Sequence, residues 1–157
     1  MKDYSRIFIR LSLTFAASAV ICGAFGSHLL KGMLGEYELS VWETAVRYLM
    51  FHALGILILS INHRHFNKKL FISLILLSLG IIIFSGTLFL LATRNIWGDD
   101  TYKFLGAITP IGGLSLIIGW LFTAGFCLNK SEDSDKKEEH THSKKRHHRK
   151  SESEESN

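Results

Sequence analysis

Six polar side chains draw attention because of where they fall: His28, Glu43, Arg47, His52, Ser85 and Thr109 lie inside or at the edges of long apolar runs. An arginine at a bilayer centre costs about 2.5 to 3.5 kcal/mol on insertion scales, so Arg47 needs a partner or a route to water. Glu43 stands four residues earlier. On a helix the two share a face, with the acid on the N-terminal side, the favourable order for an ion pair. A snorkelling Arg47 anchored at the interface beside Trp42 and Tyr48 fits the same residues. His52 is deeper, about 13 Å below Glu43 at the helical rise. There a histidine is either a neutral hydrogen-bonding core residue or part of a proton or ligand site. Arg47 and His52 diverge by about 140° around a helix, so they cannot face one neighbour without Tyr48 or a water between them.

Other chemistry lacks its residues. The sequence offers no nucleophile–base pair, no phosphate-cradling glycine loop and no fixed metal-ligand spacing, and the expectation is a protein that is not an enzyme, with no cofactor and no nucleic-acid partner. A small multidrug-type exchanger is disfavoured because no Asp or Glu lies within a span core. Cys22 and Cys127 fall near opposite membrane faces, about 20 Å apart, well beyond the reach of a disulfide. They read as packing residues.

The elements that position these residues are four apolar runs, Ile7 to Phe25, Ala45 to Ile61, Leu70 to Ala92 and Phe104 to Leu128. A helix of about 20 apolar residues crosses the hydrocarbon core, so the expected fold is all-α, an integral membrane four-helix bundle. The overall hydrophobic content of 47% understates this, because residues 129–157 contain no apolar side chain. Two units follow: a four-span domain over 1–128 and a polar, disordered, charged C-terminal tail over 129–157. A basic start before an apolar stretch with Ala16-Ala17-Ser18-Ala19 also suggests a secretory signal, but the stretch runs on through Phe25, and cleavage would leave an odd number of spans.

Lys and Arg set the orientation. Lys2, Arg6 and Arg10 open the first span, Arg64, Lys68 and Lys69 separate spans two and three, and a basic cluster follows span four, against only Lys31, Arg94 and Lys103 on the other face. By the positive-inside rule both termini are cytoplasmic and the loops at His28 to Thr44 and Thr93 to Lys103 face outward, in the plasma (inner) membrane if the cell is bacterial. The six polar residues then share the outer leaflet, and Pro110 frees a carbonyl near Gly106 at the same level. The expectation is a polar, glycine-lined pocket in the outer half of the bundle.

Small residues supply the packing. Gly112, Ser115, Gly119 and Thr123 form a stripe on span four, and Ala16, Ala19, Gly23 and Gly26 repeat it on span one. With Gly86 and Gly113 they are candidates for helix contact, since helices in lipid associate by close approach; a backbone-lined cavity is the other reading of the same stripes.

At these residues the chain resembles a known family. Gly23-Ala24-Phe25-Gly26-x-His28, Glu43-Thr44-Ala45-Val46-Arg47-Tyr48 followed by His52-Ala53-Leu54, Ser85-Gly86-x-Leu88, and Gly106-x-Ile108-Thr109-Pro110-Ile111-Gly112-Gly113 with Gly119-Trp120 look like the small four-span membrane proteins of the domain-of-unknown-function 423 family, which includes bacterial inner-membrane proteins and animal transmembrane protein 256. The resemblance runs from about Arg10 to Leu128 and implies a four-helix membrane protein without an established activity. The chain departs from the pattern at Ser27, where a small residue such as Ala is expected, and at Phe51 and Phe89, where Tyr is expected. The tail lies outside it.

In that tail His140, His142, His147 and His148 could bind a transition metal weakly, but Lys144, Lys145 and Arg146 crowd them with positive charge and no preset geometry holds them. Anionic lipid headgroups suit the basic cluster better, at about 1 kcal/mol per basic residue, and phosphorylation of Ser151 or Ser153 would weaken that attraction. A tail that only solubilises is the simpler reading. The expected function is that of a structural, assembly or interaction component, forming homo- or hetero-oligomers through its small-residue faces. The alternative is a carrier or sensor of a small molecule, lipid or proton that uses the outer pocket.

Overall fold

The computed structural model describes residues 3–97 and 105–127. Within them the chain is all-α: α1 (Asp3–His28), α2 (Glu36–Ile61), α3 (Leu70–Trp97) and α4 (Leu105–Phe122), the last continued by a π-helical turn over Thr123–Cys127. Short 3-10 turns at Leu30–Gly32 and His63–His65 join α1 to α2 and α2 to α3. The four helices are long and apolar enough to cross a membrane, and together they make the expected membrane-spanning four-helix bundle. The tail over 129–157, with its four histidines, lies outside the described residues.

The helices overrun the apolar runs that announce them. α2 starts at Glu36 and not at Ala45, so most of the expected loop from His28 to Thr44 is helix. The reason is electrostatic as well as local: Glu36 and Glu38 occupy its first turn, where carboxylates complement the helix dipole, while hydropathy is blind to a polar helical turn. At 26 residues α2 is about 39 Å long, so its ends stand clear of a hydrocarbon core of about 30 Å. α3 likewise continues past Ala92 to Trp97.

Each helix packs mainly against its neighbours in the chain, α1 on α2, α2 on α3 and α3 on α4. α3 is therefore central, with 39% of its most apolar window buried against 17% for α1, whose far side is left to lipid. Leu70, Leu74, Leu77 and Ile81 of α3 join Leu49 and Ile56 of α2 and Leu116 of α4 in the main core. A smaller cluster of Leu30, Trp42 and Ala92 closes the end that carries the 29–35 connection.

Glycines set the closest approaches. A Cβ on Gly112 would stand 2.5 Å from the Phe84 backbone nitrogen, and one on Gly119 would meet Leu77 at 2.9 Å, so α3 and α4 pack nearly backbone to backbone. Gly80 admits Leu116 in the reverse sense, and Gly55 admits the Trp120 ring. Gly113 and Gly23 make only ordinary contacts, with the Phe84 ring and Val46. Gly86 departs from the expectation of a packing residue: a Cβ there would meet nothing within 4 Å among the described residues, because the close face of α3 at this level is carried by Phe84.

Hydroxyls and amides reinforce the seams. Ser73 Oγ donates to the Gly119 carbonyl at 2.7 Å and is hydrogen-bonded to Thr123, and Ser115 Oγ donates to the Leu76 carbonyl at 2.9 Å. At the end opposite the 29–35 connection, Ser5 Oγ and His63 Nδ1 both lie on the Ser60 carbonyl, at 2.6 and 3.1 Å. A carbonyl can only accept, so His63 carries its proton on Nδ1. Asn67 ties α3 to α4: its Nδ2 donates to the Phe126 carbonyl at 2.6 Å while its Oδ1 accepts the Lys69 N–H at 2.8 Å.

Candidate functional site

Where α1 ends and α2 begins, the two helices part and leave a cleft of about 420 Å³. Its α1 wall is Gly23, Gly26 and Ser27, at helical spacings of three and four; its α2 wall is Leu39, Trp42, Glu43, Val46 and Arg47; Lys31 closes it from the 3-10 turn. Trp42 fixes the floor. Its Nε1–H is donated to the Cys22 carbonyl at 2.9 Å, and its indole lies against Gly26, where a Cβ would meet the ring at 2.7 Å. The ring also packs on Phe89 of α3 at 4.5 Å between centroids. Trp42 is thus 8% exposed, an internal strut and not the headgroup-facing anchor that its position in the sequence suggests.

The charged residues line the rim. Glu43, Arg47 and Lys31 are all exposed, and the expected Glu43–Arg47 ion pair is not made, since neither side chain has an ion-pair partner among the described residues. An exposed pair gains little and costs the freedom of two long side chains, so both remain available. Side chains lean toward a helix N-terminus, which lifts Arg47 toward the level of Glu43 and the membrane surface. Ser27 gives its hydroxyl proton to the Gly23 carbonyl at 3.0 Å, leaving its lone pairs as acceptors. The cleft therefore offers two cationic donors on one side of its chemistry and a carboxylate and a hydroxyl oxygen on the other.

The other expected site residues go elsewhere. His28 ends α1, exposed, and does not line the cleft. His52 faces away from Arg47, as the helical angle requires: its Nδ1–H is donated to the Tyr48 carbonyl at 2.8 Å, and its ring stacks on Tyr48 and neighbours Trp120 of α4. Thr109 donates to the Leu105 carbonyl at 3.0 Å and lies 2.9 Å from the hydroxyl of Thr87 across the α3–α4 seam. Ser85 is 2% exposed and its Oγ has no hydrogen-bond partner among the described residues. The polar set thus divides between the α1–α2 cleft and the α2–α3–α4 interior. Shared depth is not shared space: three of the four helices contribute to the interior group, while the cleft needs only the first two.

Sequence reasoning passed over Lys31, Trp42 and Ser27 as cleft residues and Thr87 as the partner of Thr109. The spacing of Gly23, Gly26 and Ser27 opposite Trp42, Glu43, Val46 and Arg47 carries the signal, since each set recurs every three or four residues on one helical face.

The region that builds the cleft also falls within a family match. The family model described as "Protein of unknown function (DUF423)" matches residues 22–113. This chain belongs to the DUF423 family. It is similar to UPF0382 membrane proteins: that of Staphylococcus haemolyticus is 42% identical over 116 residues, which is 74% of this chain and 90% of the relative. YwdK of Bacillus subtilis is 37% identical over 118 residues, 74% of this chain and 91% of the relative. No solved structure matches the chain. The DUF423 match takes in every residue of the cleft, and it ends at Gly113, beside the closest approach of α4 to α3. This DUF423 protein is a multi-pass membrane protein.

Proposed function

We propose that this protein is a non-enzymatic interaction component of the membrane that holds the polar part of a small molecule or lipid in the α1–α2 cleft, as a carrier or sensor. One observation carries this reading: Lys31, Glu43 and Arg47, three charges without ion-pair partners among the described residues, converge on one cavity with a tryptophan floor. Concave sites with a few convergent polar groups on apolar walls are the general form of a ligand pocket.

The basic loops support a plasma-membrane orientation with both termini cytoplasmic and the cleft on the outer surface. The basic cluster at Lys144 to Lys150 would attract anionic headgroups on the inner surface. The order of the four sequence motifs supports kinship with transmembrane protein 256-like proteins as well. Assembly is a second reading, favoured by the bare far side of α1, where Ala17, Ile21 and Ala24 are exposed. A homo- or hetero-oligomer would cover them.

The test is chemical. Protein purified in mild detergent is extracted, and the released small molecules are compared by mass spectrometry between the wild type and two cleft variants, Gly23→Leu and Arg47→Gln. The reading expects a compound carried by the wild type and depleted in both variants. Identical extracts from all three would refute it.

A further inference from the structure

The cleft's donors and acceptors have a chemical complement, and we infer that it binds a phosphodiester bearing a primary amine, presented as the headgroup of an aminophospholipid. The inference rests on the cleft being a binding site at all. Arg47 and Lys31 supply cationic N–H donors to one site, the arrangement that suits phosphate oxygens. Glu43 and the free lone pairs of Ser27 supply acceptors, which phosphate cannot use and an ammonium can. Trp42 cannot compete for the polar group, because its one N–H is committed to the Cys22 carbonyl. Its ring serves as an apolar floor.

A lipid, and not a free zwitterion, follows from what lies beneath the rim. One to two turns further into the membrane on the same faces stand Val20 on α1 and Phe51 and Leu54 on α2, 61%, 67% and 43% exposed. They continue the stripes of Gly23 and Arg47 at spacings of three, four and seven residues. A molecule seated among the charges therefore passes directly into an exposed apolar track, as acyl chains require. A soluble ligand would leave that track to bulk lipid and gain nothing from it.

The full-length protein in detergent is offered equal amounts of phosphatidylethanolamine and phosphatidylglycerol, and retained lipid is counted by native mass spectrometry. Wild type is expected to retain the amine lipid about tenfold better, Glu43→Gln to abolish the preference while keeping both lipids, and Arg47→Gln to weaken both by about tenfold. Equal retention by the wild type, with Glu43→Gln silent, overturns the amine assignment. Gly23→Leu separates the two levels of the argument. A Cβ at Gly23 makes only an ordinary 3.5 Å contact with Val46, so the variant fills the cleft without a backbone clash. If it leaves all lipid retention unchanged, the cleft is not the site and the underlying reading falls too. If it removes both lipids equally from a protein with no preference, only the amine assignment falls. Soluble glycerophosphoethanolamine is added as a competitor: failure to displace the lipid supports the membrane source, and displacement as effective as that by phosphatidylethanolamine overturns it.

Discussion

Trp42 lies across Gly26 so closely that a single methyl group on the glycine would stand 2.7 Å from Cδ1 and Nε1 of the indole. The same indole holds α2 to α1 through the Cys22 carbonyl and reaches α3 at Phe89. Gly26→Ala must push the ring off that carbonyl, and the expected loss is about 1 to 3 kcal/mol, the usual range for overpacking. SDS-induced unfolding in mixed micelles, followed by circular dichroism, measures it. In a Trp42→Phe background the smaller ring leaves room, so the same glycine substitution should cost less. Equal cost in both backgrounds would show that the clash lies elsewhere.

Gly112 and Gly86 make a matched pair for the seam between α3 and α4. Gly112→Ala sets a Cβ 2.5 Å from backbone that cannot move alone, whereas Gly86→Ala enters open space. The first should destabilise by about 1 to 3 kcal/mol. The second should be neutral or slightly stabilising, by up to about 1 kcal/mol, because alanine is the better helix former. The two unfolding midpoints, measured side by side, decide it; a loss at Gly86 as large as at Gly112 would contradict the packing described.

The contrast between those two glycines shows how much was legible in the sequence. Helix number, order and the α1–α4 sequence of spans follow from apolar length, because the bilayer demands it. A small residue every three or four positions marks a face that can approach a neighbour, and Gly112 and Gly119 do so. Which small residues meet backbone is set by rotation of the helix about its axis, which no stripe of three or four residues fixes, and Gly86 falls on the open side. Gly80 was hidden for the same reason, with Leu116 as its partner on another helix. The polar residues followed the same logic: depth along the membrane and the angle of about 140° between Arg47 and His52 could be counted along one helix, but not which neighbouring helix each side chain faces, so six residues at one depth suggested one pocket.

Asn67 carries a contact that apolar patterning cannot announce, between residues 59 apart. Its side chain accepts from Lys69, just before α3, and donates to Phe126 in the α4 extension. Asn67→Ala should cost about 1 kcal/mol, the typical net value of a lost hydrogen bond. Amide hydrogen exchange should rise both at 69–71 and at 123–127. Faster exchange at only one of these segments would show that the side chain does not couple them.

Orientation has a direct test. In a background with Cys22→Ala and Cys127→Ser, Gly32→Cys and Lys68→Cys place one thiol on an exposed residue at each end of the bundle. A membrane-impermeant maleimide added to intact cells should label the first and reach the second only after permeabilisation, as the positive-inside rule requires. The reverse pattern would put the cleft on the cytoplasmic surface.

Arg47 and His52 should behave as independent residues. Arg47 turns to the α1 side of α2, into the cleft, and His52 turns to Tyr48 and Trp120 on the side of α3 and α4. Residues that share no partner combine additively, within about 0.3 to 0.5 kcal/mol. Arg47→Gln should therefore weaken cleft binding with little effect on unfolding, since its side chain is exposed. His52→Ala should do the opposite, because its loss strips the stack from Tyr48 and the contact with Trp120 while leaving the cleft walls intact. The double variant should show the sum of the two effects in both assays. A coupling above about 1 kcal/mol would require a shared partner, through Tyr48 or an ordered water, and would restore the single outer-half site that the residues' common depth first suggested.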